Sequence, residues 1–274
     1  MSTEENEYIL GVDPDELQRL RSQHQVWVEQ LYSLVRRAGL RDGQVVLDLG
    51  CGPGATSFEL ARFVGSRGKV LARDVSASFI TALEQEALRL GLGQVDARQC
   101  RVEELDLEGE SLDAAYGRWI LSWLPDVQCV FAQLGKALKP GGVYVLQEYL
   151  NWGAMNLLPR SPVFERGVEA CMASWQIGGG TINIAQEVPA LAREVGLEVE
   201  YFEVNARSGQ VGSLIWNWLG DFYEVYLARL VRQGGFAQTD YEDFLAEWRG
   251  RAAQGDSIVI APIVADIVLR KPKG

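Results

Sequence analysis

The chain has 274 residues, 47% of them hydrophobic, with 37 Asp+Glu against 26 Lys+Arg for a formal net charge of −11. That length supports one large α/β domain with a sizeable core and room for an inserted cap. The acidic balance argues against nucleic-acid and anionic-membrane partners, which favour basic surfaces, and the sequence has no run of about 18 apolar residues of the kind that spans a bilayer.

The four cysteines, Cys51, Cys100, Cys129 and Cys171, are scattered without metal-ligand spacing and read as reduced thiols of a cytoplasmic protein. The N-terminal MSTEENEYIL is acidic and lacks the basic-then-apolar pattern of a secretion signal. Beyond YILG at 8–11, a helix is predicted to open at Asp13-Pro14, a cap followed by a proline at the first helical position. Its apolar stripe is Leu17, Leu20, Trp27, Leu31 and Leu34, and Gly39 ends it. His24, the only histidine, lies on the same stripe. It suits a general base near neutral pH, and equally a packed core position.

Residues 45–65, VVLDLGCGPGATSFELARFVG, read as a buried strand, a glycine-rich turn and a helix. Val45, Val46, Leu47 and Leu49 form the apolar run of a parallel strand covered on both faces. Gly50, Gly52 and Gly54 let the backbone turn sharply and let a ligand approach without meeting a Cβ. Gly50-x-Gly52-x-x-Ala55 also fits the relaxed dinucleotide fingerprint. Asp48, two residues before the first glycine, favours a different ligand. A carboxylate there repels a pyrophosphate and suits a phosphate-free ligand with positive groups, such as S-adenosylmethionine (SAM).

In its acid and its three glycines this stretch resembles the first motif of the class I SAM-dependent methyltransferases, which is close to LDLGCGPG. The resemblance implies that Gly50, Cys51, Gly52 and Gly54, with Asp48, floor the cofactor site. It reaches back to YILG, ELQRL and Gln23, which resemble the N-terminal lid of small-molecule methyltransferases and bring Tyr8 and Gln23 towards the cofactor.

KVLARDV at 69–75 reads as the second strand. Asp74 lies where a nucleotide-binding unit places its ribose-binding acid, and the resemblance gives it that role, with Val75 beside the adenine. A helix follows with Ile80, Leu83, Ala87 and Leu90 on one face, then a third strand at 95–100. Arg101 stands where the family often has an aspartate, so adenine recognition is expected from the Val102 backbone or Glu103.

SLDAAYGRWILSWLPDV at 111–127 is the second family-like segment. Leu112–Tyr116 is the predicted fourth strand, with Gly117, Arg118 and Trp119 at its carboxyl end. The resemblance places the methionine portion of SAM there, and Arg118 suits its carboxylate as a bidentate partner. A helix starts at Leu124-Pro125-Asp126. Pro140-Gly141-Gly142 then turns into a fifth strand, Val143–Gln147, and Glu148 at its end is the expected acceptor-facing residue. Glu148 and His24 are thus the two candidate catalytic groups.

Residues 151–186 read as rich in loops, Ala185–Val195 as a helix and 197–206 as a strand. Ile215, Trp218, Leu219, Phe222, Tyr226 and Leu230 lie at helical spacing, mostly core in character. SIVIAPIVADIVLRK at 257–271 reads as one long run closing the sheet. The resemblance implies a Rossmann-like α/β fold: a seven-stranded, mostly parallel sheet with helices on both faces, plus a helical cap. The expected division is a lid at 1–40, a SAM-binding core at 41–206, an inserted cap at 207–250 and a final core strand within 251–274. The expected activity is methyl transfer from SAM to an oxygen, nitrogen or carbon nucleophile of a small molecule, with no metal. An NAD(P)-dependent oxidoreductase and a non-catalytic SAM-binding module are the alternatives.

Overall fold

The computed structural model describes residues 14–274, apart from the side chains of Pro14, Asp15 and Gln18. Asp13 and Tyr8, the expected helix cap and cofactor contact, lie outside the described residues. The elements run α1 (Pro14–Arg37), β1 (Val45–Leu49), α2 (Ala55–Val64), β2 (Lys69–Asp74), α3 (Ala77–Leu90), β3 (Val95–Gln99), β4 (Leu112–Arg118), α4 (Val127–Ala137) and β5 (Leu138–Asn151). They continue with β6 (Asn156–Leu158), α5 (Pro162–Ile177), α6 (Val188–Glu194), β7 (Glu198–Asn205), β8 (Ser208–Gln210), α7 (Leu214–Arg232), α8 (Gln238–Gln254), β9 (Ile258–Ile260) and β10 (Ile263–Arg270).

Seven strands form one sheet in the order β3-β2-β1-β4-β5-β10-β7. β1 to β5 pair in parallel, and β10 inserts antiparallel between β5 and β7. The expected Rossmann-like sheet is therefore present. Alternation along each strand divides its side chains between two layers. Leu47, Leu49, Ala115, Leu146 and Ile267 pack on Phe131 and Leu134 of α4 and Leu191 of α6. Val46, Val70, Ala114, Val145 and Val268 pack on Leu31 and Leu34 of α1 and Leu60 and Val64 of α2. The chain leaves β1 in one direction to β2 and β3 and returns on its other side to β4. That reversal opens a crevice at the carboxyl ends of β1 and β4.

A second, three-stranded antiparallel sheet, β6-β9-β8, joins α5, α7 and α8 around an aromatic core that includes Phe164, Trp216, Tyr223 and Phe244. Three expectations are corrected here. Residues 151–186 are not mainly loop, because α5 crosses them, capped by Ser161 Oγ accepting from Phe164 N and started by Pro162. The 257–271 run is two strands in two sheets, since Pro262 between them has no N–H to continue a ladder. The helix expected over Ala185–Val195 is a 3₁₀ turn at Ile184–Gln186 followed by the shorter α6. Among the described residues no helix is long and apolar enough to cross a membrane.

Candidate active site

A cavity of about 430 Å³ opens at the carboxyl ends of the parallel strands, within the ~300–1,000 Å³ range of small-molecule sites. α1 and α7 close its far side through Gln23, Trp218 and Phe222.

The loop after β1 is held from beneath. Gly50 N and Cys51 N donate to the Arg73 carbonyl, and Gly52 N donates to Asp74 Oδ2 at 2.8 Å. The glycines do different jobs. A Cβ at Gly52 would meet nothing within 4 Å, so this residue faces open cavity with φ +52°. A Cβ at Gly54, φ +94°, would lie 2.6 Å from Leu83 Cγ and 2.8 Å from Phe58 Cζ. Gly54 thus lets α2 pack closely on α3, and it does not line the cavity. Gly117 does not line it either, being pressed by Ile120 and Tyr144. Gly54 and Gly117, both expected cofactor contacts, thus pack against neighbouring side chains and do not line the cavity.

Asp48 lines the cavity floor and is 2% exposed. Burial pushes its carboxyl up to about 6, against the pull of Ser57 Oγ, which donates to Oδ2 at 2.6 Å, and of Arg118. Asp74 closes β2. Its Oδ1 accepts from Ser76 N at 2.9 Å, and burial raises its pKa against the backbone N–H groups of Ser76 and Gly52.

Arg118, at the end of β4, lines the same cavity. Its Nη2 donates to Thr56 Oγ1 at 3.2 Å and meets His24 Nδ1 at 3.3 Å. Its Nη1 is buried with no hydrogen-bond partner among the described residues. Burial, then the Arg118 charge, lowers the His24 pKa to about 4, so the imidazole is neutral and its Nδ1 is free to accept from the guanidinium. His24 is absent from the cavity wall. The structure thus sets this expected base beside Arg118 and not at the cavity surface.

Glu148, the expected acceptor-facing residue, is not at the cavity surface either. It is fully buried and outside the cavity wall, and its Oε1 accepts from Ile120 N and Leu121 N at 3.0 and 2.9 Å. Burial pushes this carboxyl up to about 8, although those two N–H groups oppose the shift. The turn it holds begins at Trp119, whose φ of +53° is unusual for a bulky residue. That turn brings the Trp119 ring into the cavity wall.

Val75, Val102 and Glu103 line the end of the cavity near β2 and β3. The Val102 carbonyl accepts from Gln133 Nε2 at 2.8 Å, and Glu103 pairs with Arg101 at 3.5 Å. Gln23 also lines the cavity. Its Oε1 accepts from Arg19 Nη1 at 2.8 Å and Trp218 Nε1 at 3.2 Å, which ties α1 to α7.

Thr56, Trp152 and Trp175 were not among the sequence candidates, and Trp218 and Phe222 were read as mostly core. Thr56 had a usable signal, its place in the first turn of the helix after the glycine loop. The aromatic stripes were visible, but helical spacing does not separate a cavity wall from a core.

The site fits SAM on three observations: open space over Gly52, a buried acid at the end of β1 with a half-buried one at the end of β2, and a guanidinium nitrogen on Arg118 without a partner among the described residues.

Comparison with known proteins gives a consistent result. Residues 40–189, more than half of the chain, match the family profile described as a methyltransferase domain. Over 118 residues, 43% of this chain, it is 32% identical to a sterol 24-C-methyltransferase from Eremothecium gossypii, of which the match covers 31%. Over 183 residues it is 26% identical to a 2-phytyl-1,4-naphtoquinone methyltransferase from Synechococcus elongatus, covering 66% of this chain and 70% of the relative. The YcgJ protein from Bacillus subtilis, a solved structure, shares the fold with a TM-score of 0.62 at 16% identity, over 90% of this chain and 99% of that one. The matched domain spans the crevice, the acid-and-glycine loop and the β4 end, and on that basis the chain belongs to the class I SAM-dependent methyltransferases.

Proposed function

We propose that this protein transfers the methyl group of SAM to a small organic acceptor seated against the aromatic wall. The observation that carries the reading is Arg118: a half-buried guanidinium whose buried Nη1 has no partner among the described residues, beside a glycine loop with open space above it. In this arrangement Arg118 takes the methionine carboxylate, steered by His24 and Thr56. Asp74 accepts from the ribose hydroxyls, and Val75, Val102 and Glu103 flank the adenine. SAM supplies a methyl group on a sulfonium leaving group, so the chain's own work is to position the acceptor and exclude water.

We assign α1 as a lid over this site, and α5, α7, α8 and the small sheet as the cap that shapes the acceptor. Sterol and naphthoquinone methyltransferases among the relatives support an apolar acceptor. The four free cysteines support a reducing, cytoplasmic setting, and the acidic charge balance disfavours nucleic acid as a partner.

Titration calorimetry with S-adenosylhomocysteine and with NAD tests the reading. Saturable binding of S-adenosylhomocysteine without binding of NAD is the expected result. Binding of NAD alone would overturn it.

A further inference from the structure

We infer that Arg207 is a positioning residue for the cofactor site: it pins α1 at Val26 and Trp27, and through Trp27 it sets the cavity rings Trp119 and Trp218. The inference rests on the methyltransferase reading above for the identity of the ligand.

α1 is one continuous helix with two surroundings. Leu31, Leu34 and Val35 pack in the core layer with α2 and the sheet. Arg19, Leu20 and Gln23, nearer its start, line the cavity. Val26 and Trp27 lie where the helix passes from one to the other, and both belong to the aromatic cluster of the cap. Apolar contacts alone are non-directional and leave a helix free to shift along its groove. A directional contact at the crossing point fixes both the rotation and the height of the cavity-side turns.

Arg207 supplies that contact. It lies in the link 206–207 between β7 of the large sheet and β8 of the small one. Its carbonyl accepts from Ala261 N at 2.9 Å, in the link that returns from β9 to β10. The anchor point therefore sits where two connections between the sheets are tied together. The side chain reaches α1 in two ways. Nη1 donates to the Val26 carbonyl, and the guanidinium carbon lies 4.4 Å from the centre of the Trp27 ring. A mid-helix carbonyl spends one lone pair on the N–H four residues on and keeps the second for such a donor. A guanidinium donates in its plane and stacks through its face, so one group makes both contacts. The charges of Asp266 and Glu29 favour its cationic form.

Trp27 carries the constraint inward. It is fully buried and stands behind the cavity wall, not in it. It meets Trp119 at 5.5 Å and 87° and Trp218 at 5.9 Å and 85°. Those two rings line the cavity and stack on each other at 5.8 Å and 9°. Trp119 follows Arg118 in the chain, and Trp218 Nε1 donates to Gln23. One ring, held by one guanidinium, thus bears on both sides of the cofactor site. Without the clamp a smaller fraction of the protein holds these groups in place, and apparent affinity falls by that fraction.

Calorimetry with S-adenosylhomocysteine, at a temperature where circular dichroism shows every variant folded, tests the inference. R207M keeps the length of the stem and removes the charge and the donors. It is expected to bind about tenfold more weakly than the parent. R207K fills similar space but restores a cation for Trp27 and a donor for Val26, and is expected to stay within about threefold of the parent. W27F is expected to weaken binding too, and because the two residues act in series, R207M with W27F should be within about twofold of the weaker single variant. R207L replaces R207M if the latter does not fold. Unchanged affinity in R207M, a loss in R207K as large as in R207M, or additive losses in the double variant overturn the inference and leave the methyltransferase reading in place. Failure of the parent to bind S-adenosylhomocysteine overturns both.

Discussion

A guanidinium nitrogen buried without a partner costs stability unless a ligand completes it. Arg118 is held in that state by two neighbours, Thr56 and a histidine that burial keeps neutral. R118Q is expected to weaken S-adenosylhomocysteine about 10- to 100-fold, the loss of a charge-assisted pair. Affinity for 5′-methylthioadenosine, which lacks the amino-acid end, should stay within about twofold. Equal losses for both ligands would show that Arg118 acts through the fold of the site and not on the carboxylate. Glu148 carries a second prediction. Its native carboxyl keeps its proton to about pH 8, whereas an ordinary glutamate releases it near 4.5. The native state therefore binds more protons between those values, and its stability falls as pH rises through them. E148Q keeps an oxygen for Ile120 and Leu121 but cannot titrate. The stability of the parent relative to E148Q is expected to fall by about 1.4 kcal/mol per pH unit from pH ~6 to ~8, then level off. Chemical denaturation at a series of pH values reads this directly, and a constant difference would refute it.

The loop between β1 and α2 separates two uses of glycine that look alike in sequence. At Gly52 a side chain would enter open cavity, and at Gly54 it would strike Leu83 and Phe58. Both have positive φ, so an alanine at either place costs about 1 kcal/mol in backbone strain. G52A is expected to bind S-adenosylhomocysteine at least about tenfold more weakly with little further loss of thermal stability. G54A adds a clash at 2.6 Å and is expected to lose about 2–3 kcal/mol or more of folding stability. Equal effects of the two on melting and binding would remove the distinction. The pattern LDLGCGPG announced strand, turn and helix, because buried apolar runs and glycines are local signals. Which glycine faces ligand is decided by α3 and Ile120, far along the chain, and no local signal carries it. Glu148 shows the same limit. The end of a central strand was legible, but not that its carboxylate tucks beneath the turn after β4. α5 was missed for a different reason. Ser161-Pro162 and the spacing of Phe164, Val168, Cys171 and Trp175 were readable, but Gly167 and the nearby glycine run at 178–180 masked them.

At the scale of the whole molecule, one cavity is enclosed by elements that are distant in sequence: the ends of β1, β2 and β4 from below, α1 and α7 from the side. α1 and α7 meet through Trp27 against Trp218 at 5.9 Å and through the Gln23–Trp218 hydrogen bond. Trp218 in turn stacks on Trp119 at the end of β4. A ligand that binds only the closed arrangement therefore stabilises both helices along with the loop. At about 100 times its Kd such a ligand contributes about 2.7 kcal/mol. That corresponds to roughly a 100-fold slowing of exchange for amides exposed by any opening that destroys the site. Hydrogen exchange with and without S-adenosylhomocysteine is expected to show slowing in the segment after β1, around Gln23 in α1 and around Trp218 in α7. β7, at the far edge of the sheet with Phe202 and Val204 exposed, should be unaffected. Protection confined to the glycine loop would mean that α1 and α7 open independently of the cofactor and that α1 does not act as a lid. Protection extending equally to β7 would mean that the chain opens as one unit, with no separate motion at the site.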